Sequence, residues 1–319
     1  MTYATDRMVG NCCNFEQMTD LPRALREWLA GEMALYVPPV LASQEAPGGE
    51  TRKDLLEMAD GAQVEVVLLR YGTRRSVCVS TQVGCACGCL FCATGQMGFV
   101  RDLSAGEIVL QVVHVQRALA AQGERLSNVV LMGMGEPLLN ADATLAAVRR
   151  MVDPRGLGLP ARRITLSTVG IVPGIARLAE EDVGIGLAVS LHAATDAVRE
   201  RLVPINRRYP LDTLFAALRE YTERTQRRVM VEWLVLDGVN DGPEQARVLV
   251  DRLNGLPVHV NLIRLNPTGG YEGIPASSEA MEAFARVLDR AGIPHTMRQR
   301  RGGAIQAGCG QLWVERCSG

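Results

Sequence analysis

Four of the nine cysteines crowd into one short run, Gly84-Cys85-Ala86-Cys87-Gly88-Cys89-Leu90-Phe91-Cys92. Disulfides are rare in the cytosol, so such a cluster points to metal binding rather than to structural bridges. The spacing Cys85-x3-Cys89-x2-Cys92 lets three thiolates of one loop take three corners of an iron–sulfur cubane. Such clusters are usually held by four cysteines. Three leave one iron open to a small chelating molecule. The amino and carboxylate groups of S-adenosylmethionine (SAM) suit that iron, and an electron passed to SAM breaks a C–S bond to give a 5′-deoxyadenosyl radical. The cofactor does the hard chemistry; the protein supplies position and shielding. The competing possibility is a closed zinc site of four thiolates that includes Cys87. Its Cys-x-Cys-x-Cys start is cramped, so Cys87 is expected to be a bystander. Phe91 reads equally as a core residue and as a packing partner for the SAM adenine.

The elements that must position this loop alternate. Helical periodicity is expected at 21–35, behind Asp20 as N-cap, and 42–52 looks like loop. Strands are expected at 64–70 and 76–81, separated by Tyr71-Gly72-Thr73. Helices at 104–119, 141–152, 173–180, 211–224, 243–253 and 277–291 then alternate with strands at 128–132, 163–167, 186–191, 229–236, 258–263 and 295–298. Such βα alternation implies a parallel sheet with right-handed crossovers. About six βα units fit, fewer than the eight of a closed barrel. The fold class is therefore α/β, a partial (β/α)6 TIM-like barrel of the radical SAM kind, with a small helical N-terminal extension. The division expected is an extension at 1–61 and a core with a cysteine-bearing tail at 62–319. Ligands in such sheets sit at the carboxyl ends of the strands.

Composition narrows the class further. Apolar residues make up 47% of the 319 residues, enough for a large core, and the net charge of −1 does not announce a nucleic-acid binder. Arginines nevertheless pair up, at Arg149–Arg150, Arg162–Arg163, Arg207–Arg208 and Arg227–Arg228, and gather at Arg298, Arg300 and Arg301, whereas Lys53 is the one lysine. Arginine suits phosphate contacts and base stacking. No apolar run is long enough to span a bilayer, and 1–13 lacks the order of a signal peptide. A cytoplasmic protein without membrane partners, acting as a monomer, is expected.

The loop lies within Cys78-Val-Ser-Thr-Gln-Val-Gly-Cys85 and Phe91-Cys92-Ala-Thr-Gly-Gln-Met-Gly-Phe99. Similar matches follow at Met132-Gly-Met-Gly-Glu-Pro137, Ile164-Thr-Leu-Ser-Thr168, Ser190-Leu-His192, Val203-Pro-Ile-Asn206, Asn261-Leu-Ile and Asn266-Pro267, ending at Ala307-Gly-Cys-Gly-Gln-Leu312. Together they closely resemble the RlmN/Cfr family of radical SAM RNA methyltransferases, over nearly the whole chain. The three-cysteine spacing alone marks only a superfamily; joined to the Cys-Gly-Gln-Leu tail it is far more specific.

The resemblance implies a [4Fe-4S] cluster on Cys85, Cys89 and Cys92, two SAM molecules per turnover, and an electron donor such as flavodoxin. It implies that Cys309 takes a methyl group from one SAM and that the radical from a second SAM removes a hydrogen from it. The resulting methylene adds to an adenine, and Cys78 then attacks the Cys309 sulfur and releases the base. A thiolate must attack there, so a field lowering the Cys78 pKa would help. Glu65 corresponds to the family's proton acceptor, although a glutamate in Gln63-Val-Glu-Val-Val67 is also the polar face of an edge strand. Gly135 and Glu136 would meet the SAM ammonium, Ser167 its carboxylate, Ser190, Leu191 and His192 the ribose, and Asn266 the adenine end. Each is equally a polar residue capping a strand.

Adenine C2 is electron-poor and carries no acidic proton, so a carbon radical succeeds where polar methyl transfer does not. The expected activity is methylation of adenosine C2 in RNA, 23S ribosomal RNA first and transfer RNA second. Many family members carry a helical accessory domain before the segment like Asn14-Phe-Glu-Gln-Met-Thr-Asp20. This chain starts almost there, so most of that domain is expected to be missing and transfer RNA use is the less secure half. The alternatives are Cfr-like methylation of C8 in 23S ribosomal RNA, giving antibiotic resistance, a radical SAM enzyme acting on protein or small molecule, and a non-catalytic iron–sulfur RNA-binding protein. No role is assigned to Cys12, Cys13 or Cys317.

Overall fold

Short apolar runs, each ended by a turn or a capped helix, fold into one sheet backed by helices. A computed structural model describes residues 14–19, 21–33, 36–181, 183–298 and 302–314; Asp20, Arg300, Arg301, Cys12, Cys13 and Cys317 lie outside them. Helix α1 (Arg23–Glu32) comes first, then strands β1 (Val40–Glu45) and β2 (Thr51–Glu57), then the hairpin β3 (Gln63–Tyr71) and β4 (Arg74–Cys78). The cysteine loop follows, framed by β5 (Gln82–Gly84), the short helix α2 (Ala93–Met97) and β6 (Phe99–Asp102). After α3 (Ala105–Ala120) the alternation is regular: β7 (Asn128–Leu131), α4 (Ala141–Val152), β8 (Ile164–Thr168), α5 (Val172–Glu181), β9 (Gly186–Ser190), α6 (Asp196–Leu202) and α7 (Leu211–Thr225). The chain ends with β10 (Val229–Val235), α8 (Pro243–Leu253), β11 (Val258–Arg264), α9 (Ser278–Arg290) and β12 (His295–Met297).

The main sheet runs β1-β2-β3-β4-β7-β8-β9-β10-β11-β12. From β4 onward every pairing is parallel, so six βα units lead to a last strand, as the alternation predicts. No pairing joins β12 back to β1 among the described residues, so the barrel is open. Helix α3 shows the local logic. Ser104 caps it and Glu107 reaches back to the Ser104 N–H, a capping box. Ile108, Val112, Val115 and Leu119 share one stripe and are buried, the spacing that lays a helix against a sheet.

The N-terminal region departs from expectation. Among its described residues α1 is the one α-helix, beside one 3-10 turn; the stretch expected as loop at 42–52 forms the hairpin β1–β2 instead. Strand β2 pairs with β3 from Thr51↔Leu69 to Glu57↔Gln63, so hydrogen bonds run across the boundary drawn at 61. Among the described residues no helix is long and apolar enough to cross a membrane.

Candidate active site

A cavity of about 670 Å³ runs through the open barrel. Of the residues singled out from sequence, Cys78, Cys85, Cys89, Cys92, Gly135, Glu136, Ser167, Ser190, His192, Asn266 and Cys309 border it; Glu65 and Leu191 do not. Cys87 and Phe91 border it too. Strand ends and loops far apart in sequence thus meet in one space.

The cysteine loop is shaped by glycine. Gly84 has φ +74°, and a Cβ there would collide with the Gly98 carbonyl oxygen, which accepts from Cys85 N at 3.0 Å. Cys92 N donates to Cys89 O at 3.1 Å, closing the turn that leads into α2. Cys85, Cys87 and Cys89 are buried. The Cys87 thiol donates to the Cys85 sulfur, which pulls Cys85 down and pushes Cys87 up. Burial pushes Cys89 and Cys92 up. Such thiols stay neutral by themselves and ionise when a metal binds. Among the described residues no group of three or more Cys, His, Asp or Glu side chains is gathered as a single ion would need. The donor set, soft sulfurs from one buried loop facing a shared cavity, fits an iron–sulfur cluster.

The Glu136 carboxylate, expected to meet the SAM ammonium, is already engaged by backbone. Its oxygens already accept from Leu138 N at 3.0 Å and Val169 N at 2.8 Å. Burial still pushes it up to about 7. Its own N–H donates to the Gln82 side chain at 2.8 Å, and Gly135 has φ +99° with space for a Cβ closed by Gln82. The Gly135–Glu136 turn is therefore built against Gln82, a residue of the first cysteine motif.

His192 sits at φ 60°, a conformation few non-glycine residues adopt. Its Nδ1 accepts from Leu234 N at 3.0 Å, so the neutral ring carries its proton on Nε2. Burial, with Arg199 nearby, pushes its pKa down to about 3. Phe91 meets the ring edge-on, with centroids 4.8 Å apart. Leu191 is buried behind the cavity wall. Its carbonyl accepts from Arg199 Nε at 3.0 Å, and Arg199 also reaches the Ser190 carbonyl and the Asn206 side chain. Arg199, wholly buried, ties together the strand ends that carry Ser190 to His192.

The tail carrying Cys309 is held at many points. Asn266 Nδ2 donates to Cys309 O at 3.2 Å, and a Cβ on Gly308 would lie 2.6 Å from that same nitrogen. Ala93 N donates to Gly310 O and Thr94 Oγ1 to Leu312 O, so the tail docks on α2, directly after Cys92. On the other side Lys53 Nζ lies 2.7 Å from Glu65 Oε1 and donates to Gln306 O at 3.2 Å, while Trp313 N donates to Glu65 Oε2 at 2.9 Å. Both oxygens of Glu65 are engaged and it faces the tail rather than the cavity. That is a clamp on the two flanks of Cys309, and it engages both oxygens of the residue that the resemblance makes a proton acceptor. Burial pushes Glu65 up despite Lys53.

Cys78 lies close enough to Cys309 for a charge on that sulfur to disfavour its own ionisation. Burial, then the neighbouring Cys309, pushes Cys78 up to about 12; Arg298 pulls the other way. The shift runs against the lowering that would help Cys78 attack. Cys309 is exposed to the cavity, yet the protein around it still pushes its thiol up, again opposed by Arg298. Sequence reading did not single out Glu232 or Arg199, nor give Asn261 or Arg298 a place in the site. Glu232 interrupts the apolar run Val229–Val235, and that was its one signal.

The arginine pairs fall on two rims. Arg149–Arg150 end α4, Arg162–Arg163 precede β8 and Arg227–Arg228 precede β10. These mark the amino ends of the parallel strands, where Tyr71, Arg74 and Asn128 border the cavity. Arg207–Arg208 lie on the opposite rim, after β9 and α6. Some are partly occupied: Arg149 pairs with Glu181, and Arg227 Nη1 donates to Gly184 O at 2.9 Å.

Comparison with known proteins places this arrangement. Residues 79–249 match the model of the radical SAM superfamily. The chain belongs to the radical SAM superfamily. Within it, the chain falls in the RlmN family. It is 56% identical over 272 residues, 85% of this chain and 76% of the relative, to a dual-specificity RNA methyltransferase RlmN 1 of Myxococcus xanthus. It is 49% identical over 333 residues, 94% of this chain and 78% of the relative, to a probable dual-specificity RNA methyltransferase RlmN 2 of Opitutus terrae. The crystal structure of a radical SAM methyltransferase from Sphaerobacter thermophilus superposes with a TM-score of 0.91 at 48% identity, covering 94% of this chain and 88% of that one. Membership of the radical SAM superfamily implies a [4Fe-4S] cluster and SAM.

Proposed function

We propose that this chain, a SAM-dependent RNA methyltransferase by family, methylates C2 of an adenosine in 23S ribosomal RNA and in transfer RNA by way of a methyl group carried on Cys309. The observation that carries the proposal is that Cys309 and Cys78 border the same cavity as the three loop thiols. Its RlmN relatives are named as RNA methyltransferases of dual specificity.

Cys85, Cys89 and Cys92 would hold the cluster, leaving an iron for SAM. When bound, cluster and SAM supply a 5′-deoxyadenosyl radical able to take hydrogen from an S-methyl group. Glu136, Ser167, Ser190, His192 and Asn266 would orient SAM from the strand ends around the cavity. The neutral His192 ring offers one Nε2 donor, and the Gly135 turn lets backbone approach closely. The tail contacts of Asn266, Lys53 and Glu65 fix where the methyl-bearing sulfur sits, so that the carbon is presented rather than searched for. Cys78, sharing the cavity, resolves the covalent enzyme–RNA adduct through a disulfide with Cys309. The target adenine must leave its stack to reach a space inside the barrel, and the arginine-lined rim is suited to the flanking phosphates.

The test is anaerobic reconstitution of the cluster, reaction with 23S ribosomal RNA and transfer RNA, and mass spectrometry of the digested nucleosides. The expected product is 2-methyladenosine. Formation of 8-methyladenosine would move the assignment to the C8 branch, and unmodified RNA despite SAM cleavage would overturn it.

A further inference from the structure

Deep on the inner face of β10, Glu232 is a carboxylate the reaction above leaves unused. Its neighbours in register are Ser190 on β9 and Asn261 on β11. Asn261 Nδ2 donates to its Oε1 at 2.8 Å, and Arg298 Nη2 stands 3.4 Å from the same oxygen. Its other oxygen, Oε2, is buried without a hydrogen-bond partner. A buried carboxylate oxygen without a donor is costly, and native proteins keep few of them. Glu232, Asn261, Arg298 and Cys309 all border the one cavity. Of the charged or titratable groups, Arg298 acts on Glu232, Arg298 and Glu232 act on the tail thiol, and Cys78 faces that thiol as well. Asn261 and Ser190 on either side are neutral.

We propose that Glu232 accepts the thiol proton of Cys309 when that sulfur takes its methyl group from SAM, and that Arg298 and Asn261 position the carboxylate for it. The proposal rests on the reading of Cys309 as the methyl carrier. The step balances without any redox partner. The Cys309 S–H bond breaks and its proton passes to a Glu232 oxygen. The freed electron pair on sulfur forms the new S–CH3 bond. The methyl–sulfonium bond of SAM breaks, and its pair stays on the SAM sulfur, leaving neutral S-adenosylhomocysteine. The proton on Glu232 then leaves to water.

A base is needed because the Cys309 thiol, though exposed to the cavity, is pushed up by the protein packed around it. Burial likewise pushes Glu232 up, which makes its carboxylate a stronger acceptor for the thiol proton. Arg298 opposes that shift. Cys78 is not a competitor for this task, since it is itself protonated.

The test exploits two effects of opposite sign. Removing a negative charge beside a thiol lowers the thiol pKa and speeds its alkylation; removing its base slows it. Alkylation of Cys309 by iodoacetamide is followed on the whole, cluster-loaded enzyme without SAM, by mass spectrometry of the Cys309 peptide. Glu232→Gln is expected to slow it about tenfold, less than the roughly hundredfold lower end of general-base effects because the opposite charge effect offsets part of the loss. An unchanged or faster rate overturns the assignment. Glu232→Asp, which keeps the charge but withdraws it by one methylene, is the second variant; alkylation at the wild-type rate in that protein also overturns it. S-methylation of Cys309 by SAM separates the two levels. If wild-type Cys309 gains no methyl group, the proposed function fails. If wild type and Glu232→Gln gain it at one rate, only the role of Glu232 fails.

Discussion

In the proposed reaction two thiols divide the work at the residue scale, and each makes a separate prediction. Cys309→Ala should abolish RNA methylation while iron and sulfide content stay at wild-type levels. Cys78→Ala should leave enzyme covalently attached to RNA, visible as a shifted band on a denaturing gel; normal turnover by that variant would remove its resolving role. The pH dependence of resolution follows from the direction of the shift. With Cys78 pushed up to about 12, the thiol is protonated at neutral pH and the attacking thiolate grows as pH rises. Decay of a preformed adduct should therefore accelerate between pH 7 and 9, by up to about tenfold per unit where thiolate attack limits the rate. A flat profile would contradict the assignment. The two cysteines were legible in sequence because the motifs around them are unusual. Glu232 was not, because a single charged residue in a strand reads as an outward polar position until the sheet shows which face is inside; Arg298 was not, because it read as one of a group of arginines suited to phosphate contacts.

At the scale of elements, the tail and its clamp decide where the Cys309 sulfur, the proposed methyl carrier, sits. Glu65→Gln tests the clamp directly. If Glu65 holds the tail, the variant should slow S-methylation of Cys309 and RNA methylation together. If it serves only as acceptor of the C2 proton, Cys309 should still be methylated at the wild-type rate and an RNA adduct should accumulate. Gly84→Ala, at φ +74° against the Gly98 carbonyl, should lower the iron bound per chain after reconstitution. Strand β2 carries a further consequence. Burial pushes Asp54 up, but hydrogen bonds from His114, Arg52 and Ser43 outweigh it and hold the carboxyl at about 2. That stability is present above the unfolded pKa of about 4 and is lost as pH falls toward 2. Asp54→Asn should cost about 1–3 kcal/mol in urea unfolding at pH 7, with the difference shrinking below pH 4.

The same strand explains what sequence reading missed. The alternation from β4 to β12 was visible because apolar runs, caps and turns agree there. Strand β1 has six exposed residues, and β2 buries Thr51, Lys53 and Asp54. A polar strand buried through partners elsewhere in the chain has the local signature of a loop. Its place in the sheet is set by pairing with β3 and by contacts to α3 and the tail, none of them local.

On the scale of the whole molecule, an almost neutral chain sets three of its four arginine pairs on the rim at the amino ends of the parallel strands. Charge reversal at Arg162 and Arg163 should weaken RNA binding and flatten its dependence on salt, by about one unit of slope for each phosphate no longer held. SAM cleavage without RNA should be unchanged, since neither residue borders the cavity. A variant that binds RNA with the wild-type salt dependence would remove this rim from the interface. The central claim is that the new carbon on adenine passes through Cys309, and isotope labelling tests it most directly. Enzyme whose Cys309 has been methylated with trideuteromethyl SAM is freed of excess donor and given RNA with unlabelled SAM for a single turnover. The methylated adenosine should retain two deuterium atoms in its new methyl group. A product without deuterium would mean that the carbon came straight from the second SAM and that Cys309 is no carrier.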